Sequence, residues 1–476
     1  MTTIYNIKSF TGGISDFADK GMAGSGKFVS GCNIRDKSDG LKCNQALAQE
    51  GSGVIEDLVL WFVATPDNDI YGFGDTGKIY KRTNSTGVWT KVHTDSNGKI
   101  KGAALGYKFI SAGVFHTYLY WATDTRLNRK LIPGESNWSD VNSGDGGFPK
   151  TNLSSSDWHM IKQINEYVLV ANDNKMAGVA VDDDSYSNEI NTGTLPPSVS
   201  ITAITAREND LVAACSSKDL SEQGCLYAVD MINVDWVSRA NMSFKKVDAA
   251  IDGEQFLMVA EGKLWYSNMY NRIPVLDIPG NGSVIPGGVA LKDNLCLFAV
   301  GNAVRKSGDS DVACNGIYAY GRVRNASSPV FNLEYPIICD SMGAIISAND
   351  KIFVSYKLDD DYIVATLDAN NKQVGEYESL ELAAPYTQFP NRSHVESIVL
   401  KTKPMPENTK IQVYYRLNLT GDWTQAQFLS TMDNQSSDKD FTSGEDVIIV
   451  TRGKNAVFNR VLKLPQSHKT TNWCAA

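Results

Sequence analysis

The chain has 476 residues, 42% of them hydrophobic and 21% charged, with a formal net charge of -9. This composition predicts a folded globular protein and excludes disordered, collagen-like and coiled-coil chains. The acidic balance speaks against nucleic-acid binding, and no apolar run reaches the ~18 residues that would predict membrane insertion.

The first segment, residues 1–52, is predicted to be an extended docking arm rather than a domain. Glycines are frequent in it, and strand signals that could pair are few. A flexible segment of this kind can become ordered when it docks against a neighbour. We therefore expect that deleting residues 1–50 leaves the rest of the chain folded and abolishes assembly.

The second segment, residues 53–384, contains an internal repeat of about 49 residues. Asp75 and Asp124 are 49 positions apart, and Trp89 and Trp138 have the same separation. Further along, the repeat becomes a pattern in which a turn of Asn, Asp or Gly precedes an apolar strand. Seven such units are anchored on apolar residues that the sequence assigns to inner strands: Ile70, Leu119, Val168, Leu211, Phe256, Leu295 and Ile352.

Short strands at this period are typical of the four-stranded blades of a propeller. The sequence predicts an all-β fold with a β-propeller of about seven blades, with six or eight as alternatives. In the third segment, residues 385–476, Pro385 and Pro390 precede four alternating apolar stretches. These stretches predict a small C-terminal β-sandwich.

Residues that could carry chemistry are few. The Asp triplets at 182–184 and 359–361 could bind calcium, but they fit solvated turns better. The five histidines lack metal-ligand spacing, no catalytic triad can be assigned, and the phosphate-loop-like run at 72–78 lacks the Ser or Thr that would hold magnesium. We therefore expect a protein without catalytic activity, a cofactor or a metal site.

Eight cysteines occur without a C-x-x-C pair, and most are expected to be free thiols. Cys215 with Cys225, and Cys296 with Cys314, could instead face each other across hairpins.

An aromatic group at Tyr118, Tyr120 and Trp121 is the candidate ligand patch, because aromatic faces suit the apolar faces of sugars. Packing between blades is the alternative interpretation of these three side chains.

The arm carries a resemblance to a known class of proteins. Residues 9–15 read Ser-Phe-Thr-Gly-Gly-Ile-Ser, residues 31–35 read Gly-Cys-Asn-Ile-Arg, and residues 40–47 read Gly-Leu-Lys-Cys-Asn-Gln-Ala-Leu. This order is similar to the opening of tailed-bacteriophage virion proteins, including nozzle and tail-tube-end proteins, where it precedes a β-propeller. The run at 74–83, followed by Trp-Thr, also resembles propeller-type phage structural proteins.

The resemblance implies a structural component of a phage virion, in the tail or at the head-tail junction, made in the host cytoplasm. Its expected partners are other virion proteins and copies of itself in a ring. The arm residues expected to dock are Phe10, Gly12, Gly13, Ile14, Gly40 and Leu41.

The alternative is a receptor-binding virion protein that uses propeller loops or the C-terminal sandwich to bind a host surface glycan or protein. A depolymerase or sialidase-like hydrolase would need a pair of placed carboxylates, and the sequence nominates none.

Overall fold

The computed structural model describes most of the chain. The described ranges are 43–50, 55–111, 114–144, 147–190, 195–207, 210–219, 223–230, 235–254, 256–267, 272–307, 310–322 and 328–379, with short strands outside them. The chain divides into two compact units. One unit comprises Gln49–Ala303 and Ile338–Thr366, and the other comprises Met1–Ala48, Val304–Ile337 and Leu367–Ala476.

The described residues form an all-β fold, a seven-bladed β-propeller of antiparallel sheets. Blade 1 consists of Val59–Ala64, Ile70–Gly74, Lys78–Arg82 and Trp89–Thr94. Blade 2 has three described strands, Gly102–Ser111, Val114–Ala122 and Leu127–Ile132. Blade 3 consists of Ile161–Ile164, Tyr167–Asn172, Lys175–Ala180 and Tyr186–Ser187. Blade 4 consists of Val199–Arg207, Asp210–Ser217, Cys225–Asp230 and Asp235–Asn241.

The remaining blades complete the ring. Blade 5 consists of Ala249–Asp252, Phe256–Ala260, Lys263–Ser267 and Arg272–Asp277. Blade 6 consists of Val289–Lys292, Leu295–Val300, Gly316–Arg322 and Pro329–Pro336. Blade 7 consists of Ser341–Ala348, Lys351–Leu358, Asp361–Lys372 and Gln45–Gln49. A 3-10 turn at Pro279–Asn281 is the only helical element among the described residues.

The first strands of the seven blades form the inner circle of the propeller. Each contacts the first strand of the next blade, and Ser341–Ala348 of blade 7 contacts Val59–Ala64 of blade 1. All seven first strands belong to the unit that starts at Gln49. The ring is therefore closed, and each blade keeps only a short sheet edge on the inside of the ring.

The turn residues explain why the chain reverses where it does. Asn68, Asn165, Asn294 and Asn349 all have positive φ, and each lies between the first and second strands of a blade. Asn and Asp tolerate this backbone region better than other non-glycine residues, so they set tight hairpins. The predicted pattern of a polar turn before an apolar strand is confirmed.

The seven anchor residues confirm the count of blades, although their assignment to inner strands is wrong. Each anchor, from Ile70 to Ile352, lies in the second strand of its blade. The first strands give a weak sequence signal because several contain small or polar residues, such as Ala249–Asp252 and Ile161–Ile164.

The repeated tryptophans occupy equivalent places between neighbouring blades. Trp89 of blade 1 packs with Phe353 of blade 7 in one buried cluster. Trp138, 49 residues later, packs with Leu119 and Phe73 in the cluster between blades 2 and 1. The repeat thus preserves the side chain that fills each blade interface.

The closing strand of the propeller is Gln45–Gln49, the fourth strand of blade 7. Next to it, the Glu50 N–H donates to the carbonyl oxygen of Val364 at 2.9 Å. Part of the expected arm is therefore a blade strand, which its short sequence, Gln-Ala-Leu-Ala-Gln, signals only weakly. A deletion of residues 1–50 would remove this strand, so it cannot serve as a test of the arm alone.

The second unit is described more sparsely. Phe28–Gly31 pairs with Glu376–Ser379 in a five-stranded sheet that continues through Phe458–Lys463, Gln412–Leu417 and Thr424–Gln425. Two-stranded pairs are formed by Leu41–Lys42 with Cys474–Ala475, by Val304–Ser307 with Ser310–Ala313, and by Val399–Lys401 with Ile448–Val450. Most of 385–476 lies outside the described residues, so the C-terminal sandwich stays a prediction. The boundaries 1–52, 53–384 and 385–476 also stay predictions, apart from the blade strand Gln45–Gln49 within the first of them.

Candidate functional site

The predicted docking residues of the arm fall mostly outside the described residues. Phe10, Gly12, Gly13, Ile14 and Gly40 are in this group. Leu41 lies in the short strand Leu41–Lys42, whose partner residue is Ala475. Their predicted docking role stays a prediction.

The candidate ligand patch is part of the protein core. Tyr118, Tyr120 and Trp121 are 8%, 2% and 0% exposed. The indole N–H of Trp121 donates to the carboxylate of Asp95 at 2.8 Å, inside the protein. These rings pack between blades and present no exposed face, which corrects their nomination as a ligand patch and agrees with the core alternative.

An exposed apolar surface lies instead further along the same two strands. Gly102–Ser111 and Val114–Ala122 pair from Gly102 opposite Ala122 out to Ser111 opposite Val114. The inner half of this hairpin is buried in blade 2, and the outer half is exposed. Four large apolar residues at its end are 43–57% exposed, and we call them the apolar tip: Phe109, Ile110, Val114 and Phe115.

A cross-strand pair orders the apolar tip. Phe109 lies directly opposite Phe115, and their ring centroids are 5.6 Å apart in an edge-to-face arrangement. Such aromatic pairs contribute ~1 kcal/mol to a hairpin beyond the area they bury. The two rings therefore stabilise a defined hairpin end that still leaves both residues exposed.

The base of the hairpin is held by a buried ion network. Lys108 forms an ion pair with Asp184, whose carboxylate also accepts hydrogen bonds from Arg129 at 2.7 and 3.2 Å. Burial raises the pKa of the Asp184 carboxyl, but the hydrogen bonds from Arg129 and Lys108 outweigh it and the net pKa is lowered. The Arg129 guanidinium also lies over the rings of Tyr118 and Phe148, at 4.5 and 4.2 Å from their centroids.

A second contact holds the backbone at the base. The Tyr107 N–H donates to the side-chain oxygen of Gln163 at 2.6 Å, and the Gln163 amide donates back to the Tyr107 carbonyl at 3.2 Å. Gly106 is required beside them, because a Cβ there would lie 2.6 Å from the Tyr120 ring. The tip thus extends from a base that is fixed by charge, backbone hydrogen bonds and packing.

The Asp-rich turns behave as structural turns where the structure describes them. Both carboxylate oxygens of Asp184 are taken by Arg129 and Lys108. No group of three His, Cys, Asp or Glu side chains among the described residues could hold a metal ion. The described part of the chain likewise contains no helix long and apolar enough to cross a membrane.

The described histidines serve as packing residues. Both ring nitrogens of the buried His159 lie within hydrogen-bond distance of backbone oxygens, Ala171 O at 2.7 Å and Asp124 O at 2.8 Å. His93 stacks on Trp138 with ring centroids 5.7 Å apart.

Cys215, Cys296 and Cys314 are free thiols, as expected for most of the cysteines. Cys215 lies directly opposite Cys225 in blade 4, which is the cross-hairpin arrangement considered as the alternative for that pair. Burial raises the pKa of the Cys296 thiol to about 12, which suppresses its reactivity at neutral pH.

Comparisons with known proteins return no family model and no curated sequence that match the chain. Among solved structures, the extracellular domain of a protein named as a hybrid two-component system of B. thetaiotaomicron has 12% identity and a TM-score of 0.48, over 70% of this chain and 41% of that chain. The Myceliophteria thermophila Cps50 (Swd1) β-propeller domain has 12% identity and a TM-score of 0.45, and the match covers 67% of this chain and 98% of that chain. A streptogramin B lyase has 11% identity and a TM-score of 0.46, and the match covers 68% of this chain and 98% of that chain.

The chain spans less than half the length of the first of these structures. None of the three likenesses carries an argument about what this chain does.

Proposed function

We propose that this chain is a non-enzymatic structural component of a tailed-bacteriophage virion, in the tail or at the head-tail junction. Its assignment to the virion is supported by the resemblance of residues 9–15, 31–35 and 40–47 to the opening of phage propeller proteins. It acts by binding neighbouring virion proteins and copies of itself, and the N-terminal arm supplies the docking contacts.

The observation that carries the proposal is the position of the closing strand. Gln45–Gln49 is the outermost strand of blade 7, three strands away from the inner circle. The residues before it therefore join the propeller at its periphery, where a neighbouring subunit in a ring can be reached. An arm attached at the centre would not suit lateral assembly.

The polar chemistry of the described core supports a structural role. Asp184 holds Arg129 and Lys108, and Asp95 accepts hydrogen bonds from Trp121 and Asn128. Carboxylates that are fully used in such contacts are poor candidates for general acids or bases.

The experiment is complementation of a phage that lacks its own copy of the gene. A chain without residues 1–27 keeps the closing strand, so we expect it to fold and to be missing from purified particles. The matched control is Ile338→Ser, a change of an 85% exposed residue, which should enter particles normally. Absence of the full chain from purified particles, measured by mass spectrometry, would refute the proposal.

A receptor-binding role is the second candidate, and the apolar tip favours it. Four exposed apolar residues on one hairpin are typical of a surface that binds another molecule, and a purely structural spacer would not require them. Purified chain should then compete with particles for adsorption to host cells, and a Phe109→Ser, Phe115→Ser double variant should compete at least tenfold less well. Equal competition by the two proteins would exclude this candidate.

A further inference from the structure

The apolar tip is apolar on both faces of its hairpin. Successive side chains of a strand point to opposite faces, so Val114 and Phe115 lie on different sides, and Phe109 lies on the side of its cross-strand partner Phe115. All four are at least 43% exposed. A protein partner that packs against one face would leave the other face in water.

The apolar tip is also uncharged. No Asp, Glu, Lys or Arg occurs among Phe109, Ile110, Ser111, Val114 and Phe115, in a chain whose net charge is -9. The nearest charge, on Lys108, is paired with Asp184 at the base. Entry of the tip into an apolar medium therefore requires no desolvation of an unpaired charge.

The exposed area is small for a protein interface. With ~200 Å² for a whole aromatic side chain and somewhat less for Ile and Val, the exposed parts of the four residues amount to roughly 350 Å². A stable protein interface buries about 800 Å² on each partner. The tip alone is too small to hold a second copy of the chain, whereas hydrocarbon can surround all of it.

We propose that the apolar tip inserts into the interfacial region of a lipid bilayer. From Lys108 the first strand continues for three residues, which is about 10 Å at ~3.3 Å per residue. This length matches the ~5–10 Å to which interfacial segments bury their apolar side chains. The sequence predicts no membrane insertion because it lacks a crossing segment, but a hairpin end that enters one leaflet needs no such segment.

The base of the hairpin suits this role. Tyr107, with its backbone held by Gln163, and His116 lie just behind the tip. Amphipathic rings are favoured at the headgroup level, where one end is apolar and the other is hydrated. The Lys108–Asp184 pair ties the base of the hairpin to the turn between the third and fourth strands of blade 3.

The test is flotation of the purified full chain with vesicles of phosphatidylcholine and phosphatidylglycerol. We expect the wild type to float with the vesicles and the Phe109→Ser, Phe115→Ser variant to show at least a tenfold lower partition coefficient. The matched control is Ile273→Ser, which removes a 52% exposed apolar residue of blade 5 and should leave flotation unchanged. Flotation should persist in 0.5 M NaCl, because hydrophobic insertion is not screened by salt.

Three outcomes would overturn the proposal: a wild-type chain that stays with the soluble fraction, a double variant that floats equally, or flotation lost in salt. Light scattering without lipid supplies a fourth test, since oligomers that depend on Phe109 and Phe115 would identify a protein partner instead. The variant's fold is checked by its thermal unfolding, which should stay cooperative and lose no more than the ~1 kcal/mol contributed by the aromatic pair. The flotation test uses no phage particles, so a negative result would not bear on the proposed virion role, which the complementation experiment tests separately.

Discussion

A buried ion pair joins the end of the closing strand to blade 1, and Glu50→Ala tests how much it contributes to closure. Glu50 follows the closing strand and accepts two hydrogen bonds from the guanidinium of Arg82 in blade 1, one of them at 2.7 Å from Nε. Their side chains are only 8% and 6% exposed. Arg82 also lies over the Phe353 ring of blade 7, with 5.0 Å to its centroid.

Removing Glu50 leaves a buried guanidinium without its counter-charge, which typically costs ~3–5 kcal/mol. Arg82 keeps a 3.0 Å hydrogen bond to Asn84 and its contact with Phe353, so we expect the lower end, about 3 kcal/mol. At an unfolding entropy of ~2.1 cal/mol/K per residue, this cost corresponds to a melting temperature lower by about 5 °C for a unit that comprises Gln49–Ala303 and Ile338–Thr366.

The assay combines thermal unfolding with hydrogen exchange of the peptide that contains the Glu50 amide. This amide bonds to Val364, so loss of closure should accelerate its exchange. The control is Asp277→Ala, which breaks the exposed pair with Lys263 and should cost less than ~0.5 kcal/mol. If Glu50→Ala costs no more than this control, the pair does not hold the ring closed and the reasoning fails.

Three further predictions concern the core. Burial raises the pKa of Asp248 to about 6, so ionisation of this carboxyl in the folded state costs stability as the pH rises from ~4 through 6. Asp248→Asn should therefore increase the free energy of unfolding, measured in urea, by up to ~3 kcal/mol at pH 7.5 and leave it unchanged at pH 3.5. Asp184→Asn leaves two buried cations unpaired and should cost ~3–5 kcal/mol in the same assay at pH 7. Gly102→Ala would place a Cβ 1.7 Å from the backbone oxygen of His159 and should sharply lower the yield of folded chain, whereas Gly301→Ala, with 3.4 Å to its nearest neighbour, should not.

Much of the propeller could be predicted because its signals are local. Turn residues such as Asn294 and Asn349 stand directly before the apolar strands that they introduce, and both have the positive φ that a tight hairpin requires. Trp89 and Trp138 mark the repeat because each fills the same place between two blades. A side chain that packs in the same place in each blade therefore recurs at the same spacing in the sequence.

The closing strand could not be predicted, because its partner lies far away in the sequence. Gln45–Gln49 has little hydrophobic alternation, and its place beside Asp361–Lys372 is a long-range pairing that no local pattern encodes.

The sequence also does not predict which aromatic residues of blade 2 are buried. Tyr118 and Phe115 lie on the same strand, three residues apart, yet one is 8% and the other 57% exposed. The difference arises because the hairpin passes the edge of the neighbouring packed blades between these positions. Residue type alone cannot locate that edge, so the sequence nominated the buried rings and missed the exposed ones.

The position of the closing strand also sets the order in which the chain can fold during synthesis. Glu50 leaves the ribosome first, and its partner Val364 follows about 300 residues later. At ~5–20 residues per second, the strand beside Glu50 waits roughly 15–60 s for the sheet that it completes. During that time the first blades can form pairwise, but the ring stays open, and an unpaired strand is available to other nascent chains. The interval between the synthesis of blades 1 and 7 therefore sets how long the closing strand stays unpaired.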